Sequence, residues 1–316
     1  MNMLDYHAIA PHLDVAGTGF TVLDRVYADG VLSDEALGGS CANVLVSLAM
    51  LGHQVAPVLR LGADDTGARL VEEFVQAGAV VNFISQMDHL LSPILAEEID
   101  TATAKHGFSF RCPITHLDLP RYEPIGAVEL ANAASALSGC AVFYTDRLTQ
   151  EILDAMRFAA RSGAHVVFEP SALDEPEMFA EALRVTTVLK TSADRLSDEI
   201  EPQTADTYLR IVTHGQKGLE LRTSTDRIWC PAVLAPVLRD TCGSGDMVTV
   251  GLIDGLLGRS VVNGPLTLSD IVDGVVAGQR LAAANCGFEG ARGLFRKSGA
   301  AYARALLDGL AEAGAR

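Results

Sequence analysis

Short apolar runs alternate with segments of helical periodicity along most of the chain, and this alternation limits the fold more than any other feature. The first run, "HLDVAG" (12–17), is typical of a buried strand, whereas "SCANVLVSLAMLG" (40–52) predicts a helix that Ser40 could cap and Gly52 ends. The same rhythm predicts further strands at 54–62, 79–84, 140–145, 164–170, 185–190 and 208–215, and helices at 65–78, 126–137 and 149–162. Repeated strand–helix units favour a mostly parallel sheet with helices on both faces.

The last third of the chain follows a different order. Residues 218–234 predict antiparallel strands, and three long helices follow at 244–258, 269–286 and 299–313. No internal repeat or linker interrupts the pattern, so we expect a single domain over residues 1–316.

Two segments lack the long helix that a strand–helix unit requires. Residues 25–37 and 90–117 contain only strand-like pieces. Together they predict a small extra sheet, which would form a lid over one end of the main sheet. The alternative is that both segments are simple surface excursions.

The charge balance bears on partners. The chain has 24 Lys and Arg against 40 Asp and Glu, a formal net charge of −16. Such a surface repels phosphate backbones, so we expect no nucleic-acid partner. A nucleotide would need local positive potential from backbone amides or from Mg²⁺. No apolar run approaches the roughly 18 residues of a membrane span, and no signal peptide is recognisable, so we expect a cytoplasmic protein without membrane contact.

The stretch "DTCGSGDMVTVGLIDGLL" (240–257) places Gly243, Ser244, Gly245 and Asp246 at the predicted start of a helix. The first amides of a helix lack intrahelical partners and attract anions, and glycines let a ligand approach the backbone. A carboxylate there could merely complement the helix dipole. It could also take a proton from an attacking hydroxyl while the amides hold phosphoryl charge, which indicates phosphoryl transfer to an alcohol.

Other phosphate-binding patterns fit less well. The chain contains no GxxxxGK[ST] sequence, which excludes a P-loop enzyme. "GTGFTV" (17–22) begins like a dinucleotide-binding fingerprint, but Val22 stands where the third glycine belongs. A nicotinamide oxidoreductase is the alternative that this partial match leaves open.

"DTCGSGD" (240–246) resembles the DTxGAGD signature of the ribokinase-like (phosphofructokinase-B type) sugar and nucleoside kinases, with Ser244 in place of the usual alanine. Residues 38–81 are similar to the N-terminal motif of that family: a glycine pair, an asparagine, a helix, "LG", a strand and "GxDxxG". Because strands and helices also alternate between these two motifs, the resemblance covers nearly the whole chain. It implies a Rossmann-like, three-layer α/β/α fold that carries a small β-sheet lid.

The resemblance also implies an activity, the ATP-dependent phosphorylation of a hydroxymethyl group on a sugar or nucleoside. Asp246 resembles the general base, and the amides of Gly243, Ser244 and Gly245 resemble the anion hole. The positions that match the acceptor-binding residues are Asp24, Gly38, Gly39 and Asn43.

On the nucleotide side, "VTHGQKG" (212–218) resembles the turn that lines ATP, and the matching residues are Thr213, Gly215 and Gly218. Asn285 could contact the adenine, or it could belong to a helix end closed by Gly287. Asp240 occupies a position that helps to bind a monovalent cation such as K⁺ in some members. Mg²⁺ is expected to bridge the nucleotide phosphates.

The chain departs from the family where an NxxE motif usually follows a central strand. Ser192 stands at the Asn position and Arg195 at the Glu position. An arginine cannot bind Mg²⁺, although it could hold a phosphate directly; Asp194 or Glu169 could take over the metal–water role. These departures leave open a non-catalytic nucleotide- or sugar-sensing protein on the same fold.

The identity of the acceptor stays open between sugars and nucleosides. Lid strands with exposed edges often pair with a second copy, so we expect a homodimer through the lid.

Overall fold

The computed structural model describes residues 13–100, 105–172, 175–194, 208–258 and 265–312. Within these ranges the chain forms a central sheet between two layers of helices, with two smaller sheets beside it. The strands are β1 (Leu13–Thr18), β2 (Val22–Ala28), β3 (Val31–Gly38), β4 (Val55–Pro57), β5 (Leu59–Gly62), β6 (Ile84–Met87), β7 (Ile94–Asp100), β8 (Lys105–Ser109), β9 (Cys140–Thr145), β10 (His165–Phe168), β11 (Val188–Ser192), β12 (Leu209–Thr213), β13 (Gly218–Arg222) and β14 (Arg227–Pro231).

The helices are α1 (Ser40–Met50), α2 (Asp65–Gln76), α3 (Ala127–Asn132), α4 (Ala134–Gly139), α5 (Gln150–Arg161), α6 (Pro176–Leu183), α7 (Ser244–Leu257), α8 (Leu268–Asn285) and α9 (Gly293–Leu307). A non-helical residue, Gly299 with φ 79°, breaks α9 into two pieces. No helix in the described part of the chain is both long and apolar enough to cross a bilayer.

The central sheet has the strand order β14-β13-β12-β11-β10-β9-β1-β4. All neighbours from β4 to β12 are parallel, while β13 and β14 are antiparallel. Both features confirm the sequence prediction. Since parallel strands align their carboxyl ends, the residues that follow β1, β9, β10, β11 and β12 lie along one edge of the sheet.

Side chains along β9 show how the two helical layers are separated. Val142 and Tyr144 belong to the core shared with α1, α7 and α8, whereas Phe143 between them belongs to the core shared with α5 and α6. This alternation follows from the two-residue period of a strand. The buried strand is apolar on both faces because helices cover both.

The four-stranded small sheet has the order β3-β2-β7-β8. Its strands come from the two segments that lacked long helices, although β2 begins at Val22, before the predicted boundary. Strand β2 pairs antiparallel with β3 and parallel with β7. Tyr27, Ala96 and Cys112 form a small buried cluster at this sheet, separate from the two main cores.

Three local predictions were wrong in detail. The strand predicted at 54–62 is two strands, because β4 joins the central sheet while β5 pairs with β6 in a separate two-stranded sheet. Pro57 is the last residue of β4, the edge strand of the central sheet, where a residue without an N–H is tolerated. Residues 79–84 lead through a 3₁₀ turn (Val81–Phe83) into β6, and the helix predicted at 126–137 is the pair α3 and α4.

Helices α7 and α8 pack at unusually close range through glycines. A Cβ at Gly251 would lie 2.3 Å from the Cα of Gly278. Only glycine permits such an approach of two helix backbones. This packing fixes the axis of α7 and therefore the place where its first turn meets the strand ends.

Candidate active site

Helix α7 begins with a backbone conformation that only glycine adopts readily. Gly243, at its N-terminal cap, has φ 71° and ψ 1°. A Cβ there would lie 2.4 Å from the carbonyl oxygen of Ala291. The left-handed conformation and the close contact together explain the first glycine of the Gly-Ser-Gly-Asp sequence.

The amides at this helix start are not equivalent. The Ser244 amide donates to the carbonyl of Thr241 at 3.2 Å. No acceptor among the described residues takes the amides of Gly243 or Gly245. Two of the three predicted anion-hole amides are therefore open at the positive end of the helix, and the third is engaged in a turn.

Asp246 lies in the first turn of α7 and is 7% exposed. Its Oδ2 accepts a hydrogen bond of 2.8 Å from Nδ2 of Asn43 in α1, so two of the predicted site residues are in contact. Burial and the neighbouring Glu169 carboxylate raise the pKa of Asp246 to about 7, and the Asn43 bond and the Lys190 ammonium only partly offset them. The carboxylate is thus poised to exchange a proton near neutral pH.

An ion pair that was not among the predicted site residues lies beneath this helix start. Lys190 of β11 donates to Oε1 of Glu169, which follows β10, and Lys190 is 2% exposed. Oε2 of Glu169 accepts from the hydroxyl of Thr249 in α7 at 2.7 Å. The sequence suggested Glu169 as a substitute in the metal–water role, but here the carboxylate is bonded to a cation.

Asp24 on β2 carries the second strongly perturbed carboxyl group. A Cβ at Gly38 would lie 1.7 Å from Oδ2 of Asp24, so the glycine makes room for this side chain. Its Oδ1 is buried and accepts no hydrogen bond from the described residues. Burial, followed by the nearby Glu97 carboxylate, raises the pKa of Asp24 to about 8. A buried carboxyl group of this kind needs a ligand or a proton.

Gly39 marks where the small sheet gives way to α1. It has φ 87°, and a Cβ would lie 2.4 Å from the carbonyl oxygen of Phe20. The amide of Phe20 donates to Oδ1 of Asp146 at 2.8 Å. Asp146 is 1% exposed, and burial raises its pKa to about 6 despite the adjacent Arg147. Sequence reasoning missed Asp146, although its place just after β9 at the carboxyl edge of a parallel sheet is a usable signal.

The predicted nucleotide-side residues cluster at the ends of β11 and β12. Ser192 is in register with Thr213 across these strands. Gly215 has φ 56°, and Gly218 has φ 122° with a Cβ position 2.3 Å from the carbonyl oxygen of Cys230, so both turn positions require glycine. Arg195 lies outside the described residues.

Asn285 and Asp240 bind the backbone on either side of the glycine turn. The Asn285 amide donates to the carbonyls of Cys242 and Ala291, each at 3.2 Å, and its oxygen accepts from Leu294. Asp240 accepts from the amides of Cys242 and Gly290, each at 2.7 Å. Both side chains hold the loop before α7 in place. The predicted adenine contact and cation contact have no support in these bonds and stay predictions.

No group of three or more His, Cys, Asp or Glu side chains in the described ranges could hold a metal ion. Glu169 is bonded to Lys190, and Asp246 is bonded to Asn43.

The model of the pfkB family of carbohydrate kinases matches residues 34–295, well over half of the chain. The chain belongs to this family. It is therefore a phosphotransferase of the sugar and nucleoside kinase class, as the resemblance of its two signatures implied. Aminoimidazole riboside kinase from Salmonella typhimurium is 30% identical over 241 residues, which cover 68% of this chain and 72% of that enzyme.

Solved kinase structures share the fold. A fructokinase from Xylella fastidiosa with bound ATP superposes with a TM-score of 0.76 at 18% identity, covering 95% of this chain and 99% of that one. The aminoimidazole riboside kinase from Salmonella enterica, complexed with aminoimidazole riboside and an ATP analogue, gives 0.70 at 21% identity, covering 93% and 99%. These structures confirm the three-layer architecture with its extra sheets.

Proposed function

We propose that this pfkB-family kinase transfers the γ-phosphoryl group of ATP to a hydroxymethyl group of a small sugar or nucleoside. The observation that carries the proposal is the start of α7. A buried carboxylate whose pKa is raised to about 7 lies one residue beyond Gly245, whose amide is open. A proton acceptor and an anion site are thus adjacent, as phosphoryl transfer to an alcohol requires.

In the proposed reaction, Asp246 accepts the proton of the acceptor hydroxyl. The alcohol oxygen then forms a bond to the γ-phosphorus while the bond to the bridging oxygen of ADP breaks. The open amides of Gly243 and Gly245 stabilise the charge on the transferred group. Asn43 keeps the Asp246 carboxylate oriented through its 2.8 Å hydrogen bond.

We assign the acceptor site to the surroundings of Asp24 on β2, beside Gly38 and Gly39 where β3 leads into α1. Asp24 has a raised pKa of about 8, so at neutral pH it carries a proton and can both donate to and accept from hydroxyl groups. Its buried Oδ1 without a partner is the atom that an acceptor hydroxyl would satisfy. Gly38 leaves room for the Asp24 carboxyl group, and Gly39 lies so close to the Phe20 backbone that a Cβ would not fit.

For the nucleotide we assign Ser192, Thr213, Gly215 and Gly218, which lie together where β11 and β12 end. Mg²⁺ is expected to bridge the phosphates of bound ATP, as in other phosphoryl-transfer enzymes. A K⁺ requirement near Asp240 stays a prediction that activity with and without the cation would test.

We also propose that the small sheet closes over the acceptor and pairs with a second copy. Val31 and Phe108 on this sheet are 67% and 55% exposed, so the sheet presents apolar side chains that a second copy could cover. Light scattering should give the mass of a dimer for the wild type and of a monomer for Val31→Asp. The exposed Leu310 at the end of α9 offers a matched control, since Leu310→Asp should leave the mass unchanged.

The proposal is tested by ADP release from ATP and Mg²⁺ across a panel of sugars, sugar acids and nucleosides. Acceptor-dependent release that Asp246→Asn abolishes is the expected result. Intact ATP binding without release on any acceptor would contradict the catalytic assignment and favour the sensing protein on the same fold.

A further inference from the structure

The carboxyl ends of β9, β10 and β11 meet beneath the first turn of α7, and a buried ion pair fills this place. The Lys190 ammonium is bonded to Glu169, and neither the pfkB match nor the sequence signatures assign the pair a role. A Cβ at Gly245 would lie 3.6 Å from Nζ of Lys190 and 4.0 Å from Oε1 of Glu169. The pair therefore faces the Cα of Gly245 in the proposed anion hole, one residue before Asp246.

Glu169 also joins three separate elements. It accepts from Thr249 of α7 at 2.7 Å and from the hydroxyl of Tyr144 of β9 at 3.4 Å, in addition to Lys190 of β11. Thr249 lies one helical turn after Asp246 and Gly245, and its hydroxyl also donates to the Gly245 carbonyl. Moving Glu169 would therefore move the turn of α7 that carries the carboxylate.

We propose that the Lys190–Glu169 pair positions Asp246 and balances the charge around it, which makes both residues positioning residues for the phosphoryl transfer. The proposal rests on the assignment of Asp246 as the base. A cation alone at this place would hold Asp246 in its ionised, weakly basic form. An anion alone would keep Asp246 protonated, and the pair sets the pKa of Asp246 between these extremes.

Apart from Lys190, the groups found to act on Asp246 in the described residues are an amide, carboxyl groups, thiols and a phenol. Asn43 of α1 is its hydrogen-bond partner, and Lys190 is the cation that acts on it most strongly in the described part of the chain. The titratable side chains that interact with it electrostatically are Asp24, Cys41, Tyr144, Asp146, Glu169, Lys190 and Cys242. Loss of the Lys190 charge thus removes the strongest cationic influence on Asp246.

The test compares Lys190→Met, Glu169→Gln and the double variant by the pH dependence of kcat. The acidic limb of the kcat profile reports the ionisation of Asp246. Lys190→Met should move this limb to higher pH by about one unit, and Glu169→Gln should move it to lower pH by a similar amount. The double variant removes both charges and should return the limb close to the wild-type position. Opposite shifts require an electrostatic role, because a merely structural role would lower kcat without moving the limb.

Two controls separate this result from misfolding. Asp254→Asn removes one negative charge from the same helix about 12 Å further along its axis and should leave the limb in place. The double variant leaves no unpaired buried charge, so it should fold even where a single variant melts early. Thermal melting of each variant identifies such a loss.

A separate measurement tests the assignment of Asp246 as the base. ¹³C NMR titration of aspartate-labelled protein, with Asp246→Asn to assign the signal, gives the pKa of Asp246 without any turnover. If no acceptor is phosphorylated but the Asp246 signal moves in opposite directions in the two single variants, the pair acts as proposed although the kinase assignment fails. An unmoved signal and an unmoved kinetic limb in both variants would overturn the proposal, as would shifts in the same direction.

Discussion

The two ends of helix α7 carry the same pair of residue types in contrasting settings. At the N-terminus, Gly243 has φ 71° and Asp246 is bonded to the neutral amide of Asn43. At the C-terminus, Gly258 has φ −72°, and Asp254 accepts from both terminal nitrogens of Arg304 at 2.9 and 2.7 Å.

The difference in partners separates the two carboxylates in pKa. Burial raises the pKa of Asp254, but the bonds from His53 and Arg304 outweigh it and hold the value below the ordinary range. Burial and the nearby Glu169 carboxylate raise the pKa of Asp246 to about 7, and no directly bonded cation offsets them. Two aspartates on one helix thus become a fixed structural anion and a poised proton acceptor, and the deciding factor is whether a cation completes the site.

The largest expected effect comes from removing each carboxylate in turn. Asp246→Asn should lower kcat by about 10²–10⁴-fold, the range typical of losing a general base, with ATP affinity nearly unchanged. Asp254→Asn should keep kcat within about threefold of the wild type, because it lies far from the proposed anion hole. Steady-state ADP release measures both. Comparable losses of kcat in the two variants would contradict the difference between the two ends of α7.

Alanine at the two glycines should have unequal consequences. Gly243→Ala forces a Cβ into a left-handed conformation and against Ala291, which should lower the free energy of unfolding by about 3 kcal/mol. At Gly258 the nearest atom would be the Asp254 carbonyl oxygen at 3.5 Å, an ordinary contact, so alanine should be neutral within about 0.5 kcal/mol. Urea unfolding checks both, and equal destabilisation would contradict the strain assigned to the N-terminal glycine.

The stability of the aspartate variants should change in opposite directions at alkaline pH. Because the folded pKa of Asp246 lies above its unfolded value, ionising it destabilises the fold as pH rises through the interval from about 4 to 7. Asp246→Asn should therefore be more stable than the wild type at pH 8, by about 2 kcal/mol, and the gain should fade towards pH 4.

The contribution of Asp254 to stability has the opposite pH dependence. Its pKa is lowered in the fold, so its ionised form contributes stability above the unfolded value that is lost in acid. Asp254→Asn should then be less stable than the wild type at pH 8 by about 1–2 kcal/mol. Urea midpoints at pH 5 and pH 8 measure both aspartate variants, and a destabilised Asp246→Asn protein at pH 8 would show that its carboxylate is already compensated.

The smallest effect is expected at Asn43. Its amide donates to the ionised carboxylate of Asp246, so Asn43→Ala should raise the pKa of that carboxyl group. The acidic limb of kcat should move to higher pH by about half a unit to one unit. Asn43→Gln, which keeps an amide, serves as the comparison. A limb that moves to lower pH would show that the hydrogen bond does not favour the ionised form.

The sequence predicted the parts of this account that depend on local pattern. The run 140–145 coincides with β9, and the helix start at Ser244 lies where the glycines and the first-turn carboxylate indicated. Such features are set by neighbours in the chain, namely periodicity, caps and the conformational freedom of glycine. The small sheet was also predictable, because segments without helices cannot join a strand–helix layer.

The sequence could not predict contacts between residues that lie far apart along the chain. Lys190 and Glu169 are 21 residues apart, and both stand at the ends of apolar runs where a single charge has no evident partner. Asn43 and Asp246 are 203 residues apart. The split of the predicted strand 54–62 likewise depends on β6, since only its pairing with β5 takes that half away from the central sheet.

The ¹³C titration of aspartate-labelled wild-type protein, with Asp246→Asn and Asp254→Asn to assign two signals, tests the contrast between the two ends of α7 most directly. We expect the Asp246 carboxyl group to titrate near pH 7 and the Asp254 carboxyl group below the ordinary aspartate value of about 3.9. An Asp246 signal that titrates at or below the ordinary value would contradict the account, because such a carboxylate would be a fixed anion like Asp254.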